Sequence, residues 1–156
     1  MTADPSAQVR LADEVGALWD ERGGTRTAGR VFGYLLFADA PATSARELRT
    51  ALGASAGAVS GATRYLVSVD LVRAVPGPER RQQYYAVAPD PFTPDLDRAR
   101  RQLGRWDEIA VRAAVHLGPE HHGARRARDV LAYVALLDEG LARVAAQLPG
   151  SAPPRP

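Results

Sequence analysis

Two short helical patterns separated by only Gly53, Ala54 and Ser55 limit the fold of this chain more than any other feature. Ser44 and Glu47 stand in the S-x-x-E spacing of a capping box, where each side chain satisfies an orphan backbone donor at a helix start. Leu48 and Leu52 fall four apart on one face, and Gly53 closes that helix. Ser55 caps a second helix, expected to run to about Val69, with Val59, Ala62, Leu66 and Val69 at helical spacing inward. Helices joined this tightly form a helix-turn-helix unit. Leu71 to Val75 then has strand character, Pro76 to Arg81 reads as a turn with a basic flank, and Gln82 to Val87 is a second strand containing Tyr84 and Tyr85. A hairpin in that place is a wing.

The outward face of the second helix carries Gly57, Ser60, Gly61, Thr63 and Arg64. Small and hydroxyl residues with one arginine pack poorly against protein, yet let a helix approach base edges closely in a major groove. Ser55, Gly57, Ser60, Thr63 and Arg64 are therefore the candidate DNA contacts on this helix, and Arg64 is suited to a bidentate contact with guanine worth about 1–3 kcal/mol. Charge agrees in direction. Between 26 and 88 there are eight arginines against four acidic residues, a balance of +4 in a chain whose total is +2, so the rest carries −2. Every basic residue is arginine. Genomic GC bias explains that uniformity, but the guanidinium is still the side chain suited to phosphate forks and guanine edges.

Three runs carry a family likeness: R-x-x-G-R-V-x-G-Y-L-L from Arg26 to Leu36, A-S-x-G-x-V-S-x-A-T-R-Y-L from Ala54 to Leu66, and G-x-E-R-R-x-x-Y-Y from Gly77 to Tyr85. In these the chain resembles the MarR-type winged-helix transcription factors, most closely the branch of the glycine-betaine synthesis repressor, GbsR. The resemblance implies a homodimeric regulator. It also implies that Arg81 is the wing arginine entering the minor groove, that Glu79 positions it, and that Arg80 lies nearer phosphate. An arginine in a narrow minor groove gains independently from concentrated negative potential. Relatives often carry lysine or arginine just after the capping serine, where this chain has Ala56. The GbsR likeness further implies a small quaternary-ammonium effector such as choline, which wants an aromatic cage. No effector site is assigned, because core packing explains each aromatic residue.

The flanking segments read as support. Residues 6–22 form a first helix with Leu11, Val15 and Leu18 in an apolar stripe and Trp19 packed beside them. A second helix spans 26–38, and its Gly29 and Gly33 lie four apart, which admits the close approach of a neighbouring helix. Beyond the wing, Pro89, Pro91 and Pro94 mark an extended linker. Leu96, Ala99, Leu103, Trp106, Ala110, Ala113 and Leu117 then alternate in steps of three and four, a heptad seam. Ala127, Val130, Val134, Leu137, Leu141, Val144 and Leu148 repeat it. Two seamed helices joined by a short turn form an antiparallel hairpin with surface left to bury, expected to dimerise through Leu11, Val15, Leu18, Leu103, Trp106, Leu117, Val134, Leu137, Leu141 and Val144.

The expected fold is mostly α with a small β wing: a winged helix-turn-helix plus long dimerisation helices. Its parts are an N-terminal dimerisation helix at 1–24, a winged helix-turn-helix DNA-binding domain at 25–89, a helical hairpin at 90–148 and a disordered tail at 149–156. The expected partners are double-stranded DNA and a second copy of the chain, with room for a small-molecule effector. No apolar run approaches the roughly 18 residues of a membrane span, so a cytoplasmic protein is expected. Cysteine is absent, which excludes disulfides and thiolate metal sites. His116, His121 and His122 cluster near a turn with only Glu120 beside them, and read as exposed polar residues. No catalytic or nucleotide-binding motif is present, and neither an enzyme nor a cofactor is expected. The competing reading is a winged-helix interaction or scaffold module without specific DNA binding.

Overall fold

A computed structural model describes residues 5–148. The tail expected at 149–156 lies outside them. The chain divides into two compact units, Met1–Pro91 and Phe92–Pro156.

The first unit runs α1 (Pro5–Glu21), α2 (Arg26–Leu36), β1 (Thr43–Ser44), α3 (Ala45–Leu52), α4 (Ala56–Ser68), β2 (Val72–Val75) and β3 (Tyr84–Val87). The capping box is complete. Ser44 Oγ accepts from the Glu47 N–H at 3.1 Å, and the Glu47 carboxylate accepts from the Ser44 N–H at 2.7 Å. Gly53 ends α3 in the left-handed region at φ 59°, where a side chain would be strained. The Ala54 N–H then reaches back to the Arg49 carbonyl at 3.0 Å. Ser55 Oγ accepts from the Ala58 N–H at 3.2 Å and starts α4.

The core of this unit joins α2, α3 and α4. Val31, Phe32 and Leu35 meet Leu48, Leu52, Val59, Ala62 and Leu66, with Leu71 and Val72 closing the sheet side. The sheet is antiparallel in the order β1-β3-β2. Val75 pairs with Tyr84 across the wing, and Ser44 pairs with Tyr84 on its other side. The wing hairpin was expected; its third strand was not.

The first helix, expected as a separate element at 1–24, packs along α2 within the same unit. A Cβ on Gly29 would stand 2.8 Å from Trp19 Cβ, and one on Gly33 would stand 2.8 Å from Val15 Cβ. The helices touch nearly backbone to backbone there, as the glycine spacing predicts. Asp13 pairs with Arg30 at 2.5 Å, and Gln8 donates to the Tyr34 carbonyl at 2.8 Å. Trp19 stacks on Phe32, ring centroids 5.8 Å apart, and meets Tyr65 edge-on at 6.2 Å. Its role in packing matches the expectation.

The second unit is a hairpin of α5 (Thr93–His116) and α6 (His122–Gln147). Gly118 turns the chain at φ 76°, and His121 Nδ1 accepts from the Gly123 N–H at 2.9 Å to start α6. Ala110, Ala124, Ala127 and Val134 are buried in the seam. Arg100 binds Asp138 with two hydrogen bonds, at 2.7 and 3.1 Å. Those bonds hold the Asp138 carboxyl below its ordinary range and push the Arg100 guanidinium up. The same hairpin carries an open apolar groove of about 550 Å³, with Leu103, Trp106, Tyr133, Val134, Leu137 and Leu141 among its walls.

Candidate nucleic-acid interface

Helix α4 presents two faces of opposite character. Val59, Ala62, Thr63 and Leu66 point into the core, while Ser55, Gly57, Ser60, Gly61 and Arg64 are exposed. A Cβ added at Gly57 or Gly61 would meet nothing within 4 Å. Packing inside the unit therefore gives no reason for glycine at either position, and a glycine within a helix costs about 1 kcal/mol relative to alanine. The bare backbone here borders an open groove of about 540 Å³ between α4 and the turn at Gly23–Thr27. Gly61 thus joins the exposed candidates.

Thr63 departs from the expectation. It is 0% exposed, and its hydroxyl donates to the Val59 carbonyl at 2.9 Å and the Ser60 carbonyl at 3.2 Å. A side chain sealed in the core with its proton committed cannot touch a ligand on the other face. Four residues after the inward Val59, it follows the core stripe, a signal the spacing carried all along. Arg64 stays outward, its Nε donating to the Ser60 carbonyl at 3.3 Å. Ser55 keeps its own O–H available, because capping uses only its oxygen as an acceptor.

The wing corrects a second expectation. Glu79 does not hold Arg81. Its carboxylate accepts from Arg46 Nη2 on α3 at 3.4 Å and from the Gln82 side-chain amide. Arg80 and Arg81 are exposed at the turn, and neither guanidinium has a hydrogen bond or ion pair among the described residues. At the wing's root the Tyr84 ring fills the space a Cβ on Gly77 would take, so Gly77 admits the close packing of this turn. Arg46, Arg49 and Arg73 are further exposed cations in the same unit, outside the three runs that carry the family likeness.

Other expected groups fall as follows. On the first unit Leu11 and Leu18 are exposed and Val15 is half-buried against the core. On the hairpin Trp106, Leu117, Leu137 and Val144 are exposed, Leu103 and Leu141 are half-buried, and Val134 is already largely covered by its own unit. Among the described residues no group of three or more His, Asp or Glu side chains could hold a metal ion, and no helix is long and apolar enough to cross a membrane.

No family model matches the chain. Over 138 residues it is 30% identical to the HTH-type transcriptional regulator MmpR5 of Mycobacterium tuberculosis (strain ATCC 25618 / H37Rv), covering 86% of this chain and 83% of that protein. The chain belongs to the HTH-type transcriptional regulators. A crystal structure described as that of a transcriptional regulator agrees with this regulator's fold at a TM-score of 0.67 and 26% identity, covering 88% of this chain and 95% of the other. Both relatives are named as regulators and neither as an enzyme. In this HTH-type regulator, α3 and α4 are the helix-turn-helix and β2–β3 is the wing.

Proposed function

We propose that the regulator is a homodimeric repressor of MarR type, on the GbsR-like branch, that binds a pseudo-palindromic operator in double-stranded DNA. In this reading α4 lies in the major groove with Gly57, Ser60, Gly61 and Arg64 toward base edges, and Ser55 at phosphate. Arg80 and Arg81 reach the minor groove and its phosphates. The observation that carries the reading is the pairing, in one unit, of an open, glycine-lined face on α4 with two wing arginines that have no partner among the described residues.

Dimerisation is part of the proposal. A soluble monomer rarely leaves a long apolar stripe bare, and this chain exposes Leu11 and Leu18 on α1 and Trp106, Leu117, Leu137 and Val144 on the hairpin. Two recognition helices related by a dimer axis would read half-sites about 10 bp apart. Such a protein works where DNA is, in the cytoplasm, and needs no cofactor.

A gel-shift titration with DNA from upstream of its own gene, at two salt concentrations, tests the reading. Tight binding that is sequence-selective and weakens steeply with salt supports it. The absence of selective binding across genomic fragments favours a scaffold module, a reading that the exposed Ala56 at the start of α4 also suits.

A further inference from the structure

We infer that Arg46 is a positioning residue for the wing, acting through Glu79. The inference rests on the reading of the wing as part of a DNA interface. Glu79 opens the turn at the wing tip, and its two carboxylate oxygens are used in different directions. Oε1 accepts from Arg46 in the first turn of α3, and Oε2 accepts from Gln82 on the far side of its own turn. The Gln82 N–H closes that turn on the Glu79 carbonyl at 3.0 Å. Glu79 is therefore the point where the tip is tied both to itself and to a helix.

The helix at the other end is fixed. α3 begins at the completed capping box, and the Ala45 N–H donates to the Gln83 carbonyl at 2.9 Å. The strand pair Ser44 with Tyr84 holds the wing root at the same place. A hairpin held only at its root can swing about it. The Arg46–Glu79 pair adds a second attachment nearer the tip, immediately before Arg80 and Arg81, which have no partner of their own among the described residues. The direction of those two arginines is thus biased by what holds Glu79.

Both partners are open to water, with side chains 69% and 56% exposed, so the tie is a weak one. Exposed pairs of this kind change an equilibrium by about threefold. That is enough to bias a tip that binds in two copies per dimer, and too little to affect folding of the unit.

Two measurements test the role on the full chain: amide exchange of the free protein, and affinity for an operator fragment. In Arg46→Ala, exchange at the Gln82 backbone amide should quicken by about threefold; Glu79→Ala, which also removes the Gln82 side-chain bond, should quicken it by at least as much, and adding Arg46→Ala to it should change nothing further. Operator affinity should fall by about threefold per subunit in Arg46→Ala and by at least that in Glu79→Ala, with the double variant matching Glu79→Ala. The reversed pair, Arg46→Glu with Glu79→Arg, should recover most of the loss. The loss should also vanish in a background of Arg80→Ala with Arg81→Ala, because a positioning residue matters only while the positioned groups are present. Unchanged exchange at Gln82 in both single variants would overturn the tie. A loss from Arg46→Ala that persists without Arg80 and Arg81 would overturn the positioning role, assigning Arg46 to phosphate directly. If the wild type binds no DNA selectively, the function reading fails, while the exchange measurement still decides the tie.

Discussion

Thr63 donates its hydroxyl proton to the Val59 carbonyl at 2.9 Å, one turn earlier on the buried side of α4. The contact puts Thr63 on the core face of α4, apart from the exposed face that carries Ser60 and Arg64. Thr63→Val should leave operator affinity within about twofold. It should also change stability by no more than about 1 kcal/mol, because one back-bonded hydroxyl is exchanged for a buried methyl. Binding titrations and thermal melts of the variant check both. A large affinity loss with an unchanged melt would return Thr63 to the interface.

Gly61 makes the opposite test. A Cβ there meets nothing within 4 Å among the described residues, so Gly61→Ala should raise stability by up to about 1 kcal/mol through helix propensity alone. In the proposed interface that methyl stands between the helix backbone and the base edges. Affinity should fall while the melting temperature rises. A variant that is both more stable and equally tight would show that DNA does not approach this face closely.

Asp70 sits at φ 59°, in the left-handed region, where its N–H donates to the Val67 carbonyl at 3.2 Å and the next N–H, of Leu71, to Leu66 at 3.0 Å. This turn ends α4 and aims the chain into β2. Asp70→Ala should destabilise the unit by about 1 kcal/mol, the cost of a left-handed residue with an ordinary side chain, whereas Asp70→Asn should be close to neutral. Denaturant midpoints of the two variants would show the difference.

Glu47 links the fold to pH. Hydrogen bonds from the Ser44 side chain and backbone hold its carboxyl below the ordinary range. A folded value below the unfolded one means that the stabilisation is fully present above the ordinary glutamate pKa of about 4.3 and is lost as pH falls through the depressed folded value. Glu47→Gln removes the titration. The wild type should therefore melt above the variant at pH 7, and the gap should close as the solution is acidified. A gap independent of pH would remove the carboxylate from the capping box's energetics.

What could be read before any coordinates was mostly local chemistry. Ser44 with Glu47, Gly53 and Ser55 announce helix ends through hydrogen bonds that span three or four residues, and each forms as expected. Gly29 and Gly33 signalled a close helix neighbour, although not that the neighbour would be α1 in the same unit. The misses have a different scale. β1 is two residues long and exists only by pairing with Tyr84 and Tyr85, far along the chain. Arg46 and Glu79 are 33 positions apart, a separation at which spacing says nothing about contact. Thr63 is the local exception: its hydroxyl suggests solvent, whereas its helical period puts it in the core. On the hairpin the heptad positions are unevenly covered. Ala110, Ala127 and Val134 are buried while Trp106 stays 54% exposed, since small residues let the helices close and the large ring holds a groove open.

The central claim is that α4 and the wing together read DNA. The most direct test is the slope of log affinity against log salt for an operator fragment, measured for the wild type, Arg80→Ala and Arg81→Ala. The account predicts a steep slope for the wild type, flattened in each variant by about one counterion per subunit. Slopes unchanged in both variants would contradict it by taking the wing out of the interface.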